Sequence, residues 1–510
     1  MNRSIRADYW SGDANLRPFY AHDLSASPQE LIAARENYPV DRALLVSALR
    51  RQHKGLEVPH QVSENIQLLS EQTTFTITTG QQPALFGGPL YNLYKALTVI
   101  KLAKRYKAQL PEYDFVPVFW NATEDHDRNE LNHTWLTFPK PVRYEEEFTG
   151  AVGRHVIREA IKELDAPPEL VQVFAPGKRF GDAFRDLWYK WLGEYGLVII
   201  DADDPDLKPA FRPIAQREIE QGLGEAIARQ SEKLKAAGYS AQLKPGDENL
   251  FLLRENFREQ LFRGKDGFFT RKGKLQFSTD ELLQLLENEP DQFSPNAALR
   301  TLYQENLLPN LVYVGGWGEI SYWLQLKAVF DETHTFFPLL IPRASAFLLP
   351  ESTAESMANL GLSLSSLQEP EGWMRNRLRE LHWQDSLAYR DFRIQQEALH
   401  ARISAHITPE QPHLHASVEA NLQRNRQFLE QLERRMSNAY LQRMAGFNSL
   451  IQCKRALSAD GYVQERTLNP WVFLREQPEE LIAFIADKLA VDEPAQQLIV
   501  LPKHFGRAFA

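Results

Sequence analysis

From Thr73 to about Ala202, short apolar runs rich in β-branched residues alternate with longer amphipathic stretches: TFTITTG, YNLYKALTVIKLAKRY, FVPVFWNA and GLVIIDADD. Short runs bounded by turn residues predict strands and the longer stretches predict crossover helices, so this region reads as an α/β fold with a parallel sheet. The pattern changes at about residue 206. A helix-like QREIEQGLGEAIARQSEKLKAAG is followed by hairpin-like NLFLLRE and DGFFTRKGKLQFST, which predicts an insertion over 206–293. Strand, glycine-rich turn and helix then return in LVYVGGWGEISYWLQLKAVF, so the sheet is assembled from 1–205 and 294–373.

Residues 374–407 read as one long polar helix, TPEQP breaks it, and a second helix runs to about Leu457. The two predict an antiparallel hairpin over 374–457. In the second helix Val418, Leu422, Leu429, Leu432, Met436 and Ala439 fall on heptad positions, with Asn425 among them. The pattern fits a coiled coil or a helical arm packed on the body. The segment 458–510, with LNPWVFL and QQLIVLP, is globular again and is expected to pack back on the core.

Composition narrows the function classes. Hydrophobic residues make up 43% of the 510 and aromatics 11%, which excludes global disorder. The formal net charge is −9 and no Lys/Arg tract stands out, which argues against a nucleic-acid partner. A single cysteine, Cys453, requires no oxidising compartment, and no apolar stretch approaches the roughly 20 residues that span a bilayer. The expectation is a cytoplasmic, small-molecule protein without a membrane partner. Cys453 itself reads as a packed thiol.

Three stretches carry candidate chemistry. After FVPVFW comes NATEDHDRNELNHTW, and strand C-terminal ends face the ligand crevice in open parallel sheets. A helix starting near Asp125 puts His126, Glu130 and His133 on one face, beside Asp125 and Asp127, suited to acid/base work. Metal is the weaker reading, because further ligands are not identifiable. The second stretch, TTGQQPALFGGPLYNLYKAL, offers Gly80, Gln81, Gln82, Gly87 and Gly88 before a helix carrying Lys95, a candidate anion site. The third offers Gly315, Gly316, Glu319, Tyr322 and Gln325, flanked by Asn296, Arg300, Gln304 and Arg343. The arginines are candidate carboxylate clamps.

In this order and over nearly the whole chain, TGQQPALFGGPLYNLYKA, PVFWNATEDHDRNELNH, SPNAALRTLYQENLLPN, YVGGWGEISYWLQLK, PRAS and VQERTLNPWVFL resemble the bacillithiol biosynthesis cysteine-adding enzyme family. The resemblance implies a Rossmann-like core of the nucleotidylyltransferase and class I synthetase type, connecting-peptide insertions and a coiled-coil arm. It implies a ligase joining the cysteine carboxyl to the amine of glucosaminyl malate, the last step to bacillithiol. Tyr94 and Trp317 depart from the family, which often has His and Pro there. Activation of the carboxylate implies ATP or ADP and an acyl-adenylate or acyl-phosphate, with magnesium by analogy and no tightly bound metal. His126 or His133, oriented by Asp125 or Glu130, is the candidate base, and Arg300 or Arg343 the carboxylate clamp. The arm predicts a homodimer. The rival readings are a nucleotidyltransferase or aminoacyl-transfer enzyme on another substrate, or a non-catalytic nucleotide-binding scaffold.

Overall fold

The computed structural model describes residues 3–505 apart from 137–139, 148–149, 159–160, 162–165, 245–248, 255–256, 272, 384–385, 409, 458–462 and 475–477. The chain forms two compact units, Met1–Phe347 with Tyr462–Ile499, and Leu348–Gly461 with Val500–Ala510. Among the described residues no helix is long and apolar enough to cross a membrane.

The first unit is built on five parallel strands: β1 (Thr74–Gln81), β2 (Asp114–Asn121), β3 (Val198–Asp201), β4 (Asn310–Gly315) and β5 (Leu339–Pro342). Their order is β5-β4-β1-β2-β3. Nearly every strand residue is buried, which is why the runs are continuously apolar or β-branched instead of alternating. The exceptions inside β1 are satisfied locally: Thr78 donates to Asn310 Oδ1 at 2.8 Å and Thr79 to the Val314 carbonyl at 2.7 Å. The chain leaves β1 toward β2 and β3 on one side and returns to β4 and β5 on the other. This is the Rossmann-type winding, and its switch point lies between the C-terminal ends of β1 and β4.

The inserted region departs from the single helix expected. It begins with two helices, Lys208–Glu220 and Gly224–Ala236. Gly222 between them is left-handed, at φ +73, and Glu218 caps the second start by accepting the Leu223 N–H at 2.8 Å. The hairpins follow as an antiparallel sheet of Leu250–Arg254, Phe257–Arg263, Phe268–Thr270 and Gln276–Phe277, completed by Phe293–Pro295.

In the second unit, Ser386–Ser404 and Pro412–Arg443 form the antiparallel helical hairpin, with Pro412 opening the second helix. Arg426 pairs with Glu397 at 2.8 Å and His400 meets Asn421 at 3.2 Å across it. Two expectations are corrected. The long helices are each broken, giving Glu371–His382 before the first and Phe447–Leu457 after the second, the latter break at left-handed Gly446. The heptad seam also drifts: Leu422 is buried, but Met436 and Ala439 turn outward while Ser437 and Leu441 turn in. A helix of 3.6 residues per turn rotates away from a strict seven-residue repeat by about 20° per heptad. Cys453 is buried, 3.1 Å from Thr353 Oγ1, and burial pushes its thiol up to about 11.

Candidate active site

A cavity of about 700 Å³ opens at the switch point, within the range of small-molecule sites. Its walls are the strand ends, the helices that follow them and the inserted sheet. Gly80 and Gln81 come from β1, and a side chain on Gly80 would be crowded, its Cβ 3.0 Å from Trp120 Cβ on β2. Gly316, Gly318, Glu319 and Tyr322 follow β4. Asn296 caps Ala297–Leu307 by accepting from the Ala298 and Leu299 N–H groups, which fixes the helix that carries Arg300.

Lys95 reaches the floor from the helix Leu90–Gln109, and there it is fully engaged. Its Nζ lies 2.5 Å from Glu319 Oε2, 2.8 Å from the Gly80 carbonyl and 2.9 Å from Gln81 Oε1. Burial pulls this ammonium below its usual range against the pull of Glu319. Burial would raise the Glu319 carboxyl, but Lys95, the Tyr313 hydroxyl and the Gly316 N–H together hold it below the usual range, so it stays charged.

Arg300 differs from Lys95, Arg258 and Arg343, each of which has a carboxylate partner. Its guanidinium donates to Tyr322 Oη at 3.0 Å and Gln304 Oε1 at 3.1 Å, both neutral, and lies 5.6 Å from the Tyr313 ring. Among the described residues no carboxylate is within ion-pair distance of it. Arg343, by contrast, is held by Glu465 in a two-pronged pair at 3.0 and 2.7 Å.

The acid/base stretch is arranged differently from the expectation. The helix after Asp125 is a single turn, Arg128–Leu131, capped by Asp127, whose Oδ1 accepts the Asn129 N–H at 3.1 Å. The Tyr144 N–H takes the Asn132 carbonyl at 2.7 Å, and His133–Thr134 pairs with Val142–Arg143, so a hairpin captures the backbone that another helical turn would need. His126 and His133 therefore share no helical face. Asp125, His126 and Asp127 line the cavity and His133 does not. The Glu130 side chain lies outside the described residues.

His126 is held by Arg258 from the inserted sheet. Arg258 Nη1 lies 2.6 Å from His126 Nδ1 and 3.4 Å from Asp125 Oδ1, and its guanidinium stacks on Phe251 at 3.9 Å. A guanidinium only donates, so Nδ1 is the acceptor and the ring carries its proton on Nε2.

Five other expected residues lie outside the cavity wall. Gly87 and Gly88 adopt φ +87 and +75, where a Cβ would meet Trp191 and Asn92. They shape a packed turn. The helix start behind them is plugged, because the Leu90 N–H donates to the Leu468 carbonyl at 2.8 Å. Gly315 sits under Tyr313 and Glu319. Gln325 accepts the Gln242 and Leu243 N–H groups at 2.6 and 2.8 Å and so pins an inserted segment that does line the cavity. Gln304 lies directly behind Arg300.

Sequence reasoning missed Arg258, Phe251, Gln242, Leu243, Tyr91, Trp120 and Arg466, and did not single out Glu124 as a site residue. All line the cavity. Glu124 is buried, pairs with Lys208 at 2.5 Å, and keeps Oε1 without a hydrogen-bond partner. Burial raises its carboxyl against the pull of Lys208. Among the described residues no group of three or more His, Cys, Asp or Glu side chains is placed to hold a metal ion.

Fold and cavity together define a Rossmann-like α/β protein with a charged crevice at its switch point and a separate helical hairpin. Residues 2–344 match the bacillithiol biosynthesis BshC N-terminal Rossmann-like domain, and residues 346–501 match the BshC C-terminal coiled-coil domain. The chain belongs to the BshC family. It is 34% identical over 505 residues to a protein of Flavobacterium johnsoniae, covering 94% of both chains. It is 35% identical over 366 residues to one of Cytophaga hutchinsonii, covering 71% of this chain and 70% of the other. It is 27% identical over 527 residues to one of Bacillus cereus, covering 95% and 96%. All three relatives carry the name "Putative cysteine ligase BshC".

Proposed function

We propose that this chain is a cysteine ligase that joins the carboxyl group of cysteine to the amine of glucosaminyl malate, completing bacillithiol, in the cytoplasm. The relatives' name supports the cysteine-ligase reading, and the observation that carries it to a site is Arg300, a guanidinium at the cavity wall with only neutral partners. A substrate carboxylate supplies the missing anion, and the malate moiety of the acceptor presents two. Tyr322 and Gln304 hold the guanidinium plane so that little freedom is lost when the carboxylate docks.

An adenine nucleotide, with magnesium by analogy, would supply activation of the cysteine carboxylate. The helix start at Leu90 does not fit a phosphate, because its first N–H is taken by Leu468. The Gly316 N–H is likewise taken by Glu319. The groups that fit are guanidinium: Arg466, exposed on the wall, and Arg343 and Arg258 beside it. Asp125 is the acceptor for the proton that the attacking amine sheds. His126, protonated on Nε2 by the tautomer that Arg258 imposes, donates to a substrate oxygen.

The direct test is mass spectrometry of the thiol product after incubating the protein with cysteine, glucosaminyl malate and ATP. No product with ATP or any other nucleoside triphosphate would remove the reading. Asp125→Asn is expected to lower product formation at least 100-fold with only a small fall in melting temperature, since the carboxylate is half-exposed and its contact with Arg258 is long, at 3.4 Å. His133→Ala is expected to retain activity. Equal loss in both variants would overturn the assignment of roles.

The protein is proposed to be a homodimer joined through the hairpin. Phe392, Ile394 and Leu399 on one helix and Phe428 on the other are 51–62% exposed, an unusual density of apolar groups for a free surface. Changing Ile394 and Phe428 together to Glu should yield a folded monomer by light scattering. A wild-type protein already monomeric at tens of micromolar would contradict the pairing.

A further inference from the structure

The Arg300 side chain is one end of a buried chain of hydrogen bonds that runs down into the sheet. Gln304 accepts from Arg300 through Oε1 and donates through Nε2 to Glu305 Oε1 at 2.8 Å. Asn310, the first residue of β4, donates its Nδ2 to the same Glu305 oxygen at 2.8 Å and accepts from Thr78 through Oδ1. The Gln304 orientation is forced: a guanidinium cannot accept, so the oxygen of Gln304 faces Arg300 and its nitrogen faces the carboxyl. Gln304, Glu305 and Asn310 are 1% exposed or less.

The other carboxyl oxygen, Glu305 Oε2, is buried with no hydrogen-bond partner. The two charged groups that face this carboxyl are Arg35, from the helix Pro28–Arg35, and Arg300 on its own helix. Arg35 directs Nη2 to the Glu305 and Leu308 main-chain carbonyls, at 3.0 and 2.7 Å, and makes no ion pair with the side chain. The strands on the other side present only neutral Thr76, Thr78 and Asn310. A carboxyl so placed is expensive to charge. Burial pushes it up to about 7, against the opposing pull of Arg35, Gln304, Asn310 and Arg300.

We propose that Glu305 is the positioning residue of the anion clamp: through Gln304 it fixes the Arg300 guanidinium, and its state of ionisation sets how strongly that guanidinium holds a substrate carboxylate. This rests on the reading of Arg300 as the clamp. The proton resides on Oε2, so both hydrogen bonds at Oε1 persist in either state. Titration changes the charge behind Arg300 without moving the side chains that hold it. A neutral Glu305 leaves the full positive charge of Arg300 for the ligand, and an ionised one offsets part of it. Affinity for an anion therefore falls as pH rises through the pKa of Glu305. A bound anion in turn favours the protonated carboxyl, so binding near neutrality takes up a fraction of a proton.

The test is calorimetric titration of the full chain with malate between pH 5.5 and 8.5. For the wild type, the dissociation constant should rise about three- to tenfold across this span, the size expected for a unit charge several ångströms from the ligand at intermediate dielectric. Glu305→Gln keeps a carbonyl oxygen for both donors and never ionises. It should bind as the wild type does at low pH, with that part of the pH dependence gone. Titration of malate itself is common to both experiments and cancels in the comparison. An unchanged pH dependence in a folded Glu305→Gln would overturn the proposal, as would loss of binding at every pH. If this variant does not fold, wild-type titrations in buffers of different ionisation enthalpy decide: proton uptake at pH 7 supports the proposal and none overturns it. Arg300→Gln separates the two claims. If it binds malate like the wild type, the clamp reading fails whatever Glu305 does.

Discussion

Lys95→Met should cost the protein about 3–5 kcal/mol, the loss expected on breaking a buried ion pair by removing one partner. The Lys95 side chain is 2% exposed and that of Glu319 is 22% exposed, so removing the ammonium strands a carboxylate in a largely dry floor. The Tyr313 hydroxyl and the Gly316 N–H still solvate it, and Arg300 acts on it from a distance without forming an ion pair. The double variant Lys95→Met/Glu319→Gln should recover a large part of the loss, which identifies the unpaired charge, and not the lost stem packing, as its cause. In the single variant burial raises Glu319 in the folded state above its unfolded value. The folded state then binds more protons, and stability falls as pH rises from about 4.5. Lys95→Met should accordingly lie nearer the wild type at pH 5 than at pH 8. Urea denaturation at the two pH values measures this. A double variant no more stable than the single would refute the ion-pair account.

Lys95 also shows how far the sequence could be read. Its position after a glycine-bounded strand end was legible, and so was its place at the cavity. Its occupation by Glu319 was not, because that partner lies on another helix and the pairing exists only once β1 and β4 are adjacent. The same distinction runs through the rest of the fold. The runs TFTIT, FVPVFW and LVYVG announce buried parallel strands through composition alone. The residues at their ends, Gly80, Asp125, His126, Gly316 and Glu319, follow from the rule that ligands gather where strands finish. Arg258 and Phe251 follow from no local rule. FREQLFR is a mostly half-buried strand with three polar residues in a row and no alternation that singles out Arg258, and only the docking of the inserted sheet brings Arg258 onto His126. The single-turn helix at Arg128–Leu131 failed for a related reason: the capping signal at Asp127 is real, but a hairpin with Val142–Arg143 claims the backbone immediately after it. The hairpin helices were visible from their periodicity, while the drift of the seam at Met436 follows from helix geometry that a strict heptad count ignores.

Arg300→Gln should raise KM for the carboxylate-bearing substrate about 100-fold, roughly 3 kcal/mol, with kcat reduced far less and the melting temperature nearly unchanged. The size is that expected of a charge-assisted contact made directly to substrate, the role proposed for Arg300. The small effect on the fold follows from the partners, since Tyr322 and Gln304 are neutral and strand no charge when the guanidinium leaves. Arg343→Gln is the informative contrast. It breaks a buried two-pronged pair and leaves Glu465, itself 6% exposed, without its cation, so the melting temperature should fall along with any change in KM. The two arginines thus separate by which quantity moves: affinity alone for the clamp, stability for the structural pair. Arg300→Lys tests the geometry further. A lysine keeps the charge but not the fork that grips Tyr322, Gln304 and a carboxylate together, so it should recover only part of the loss. A wild-type KM in Arg300→Gln would end the assignment of Arg300 as the substrate's anchor.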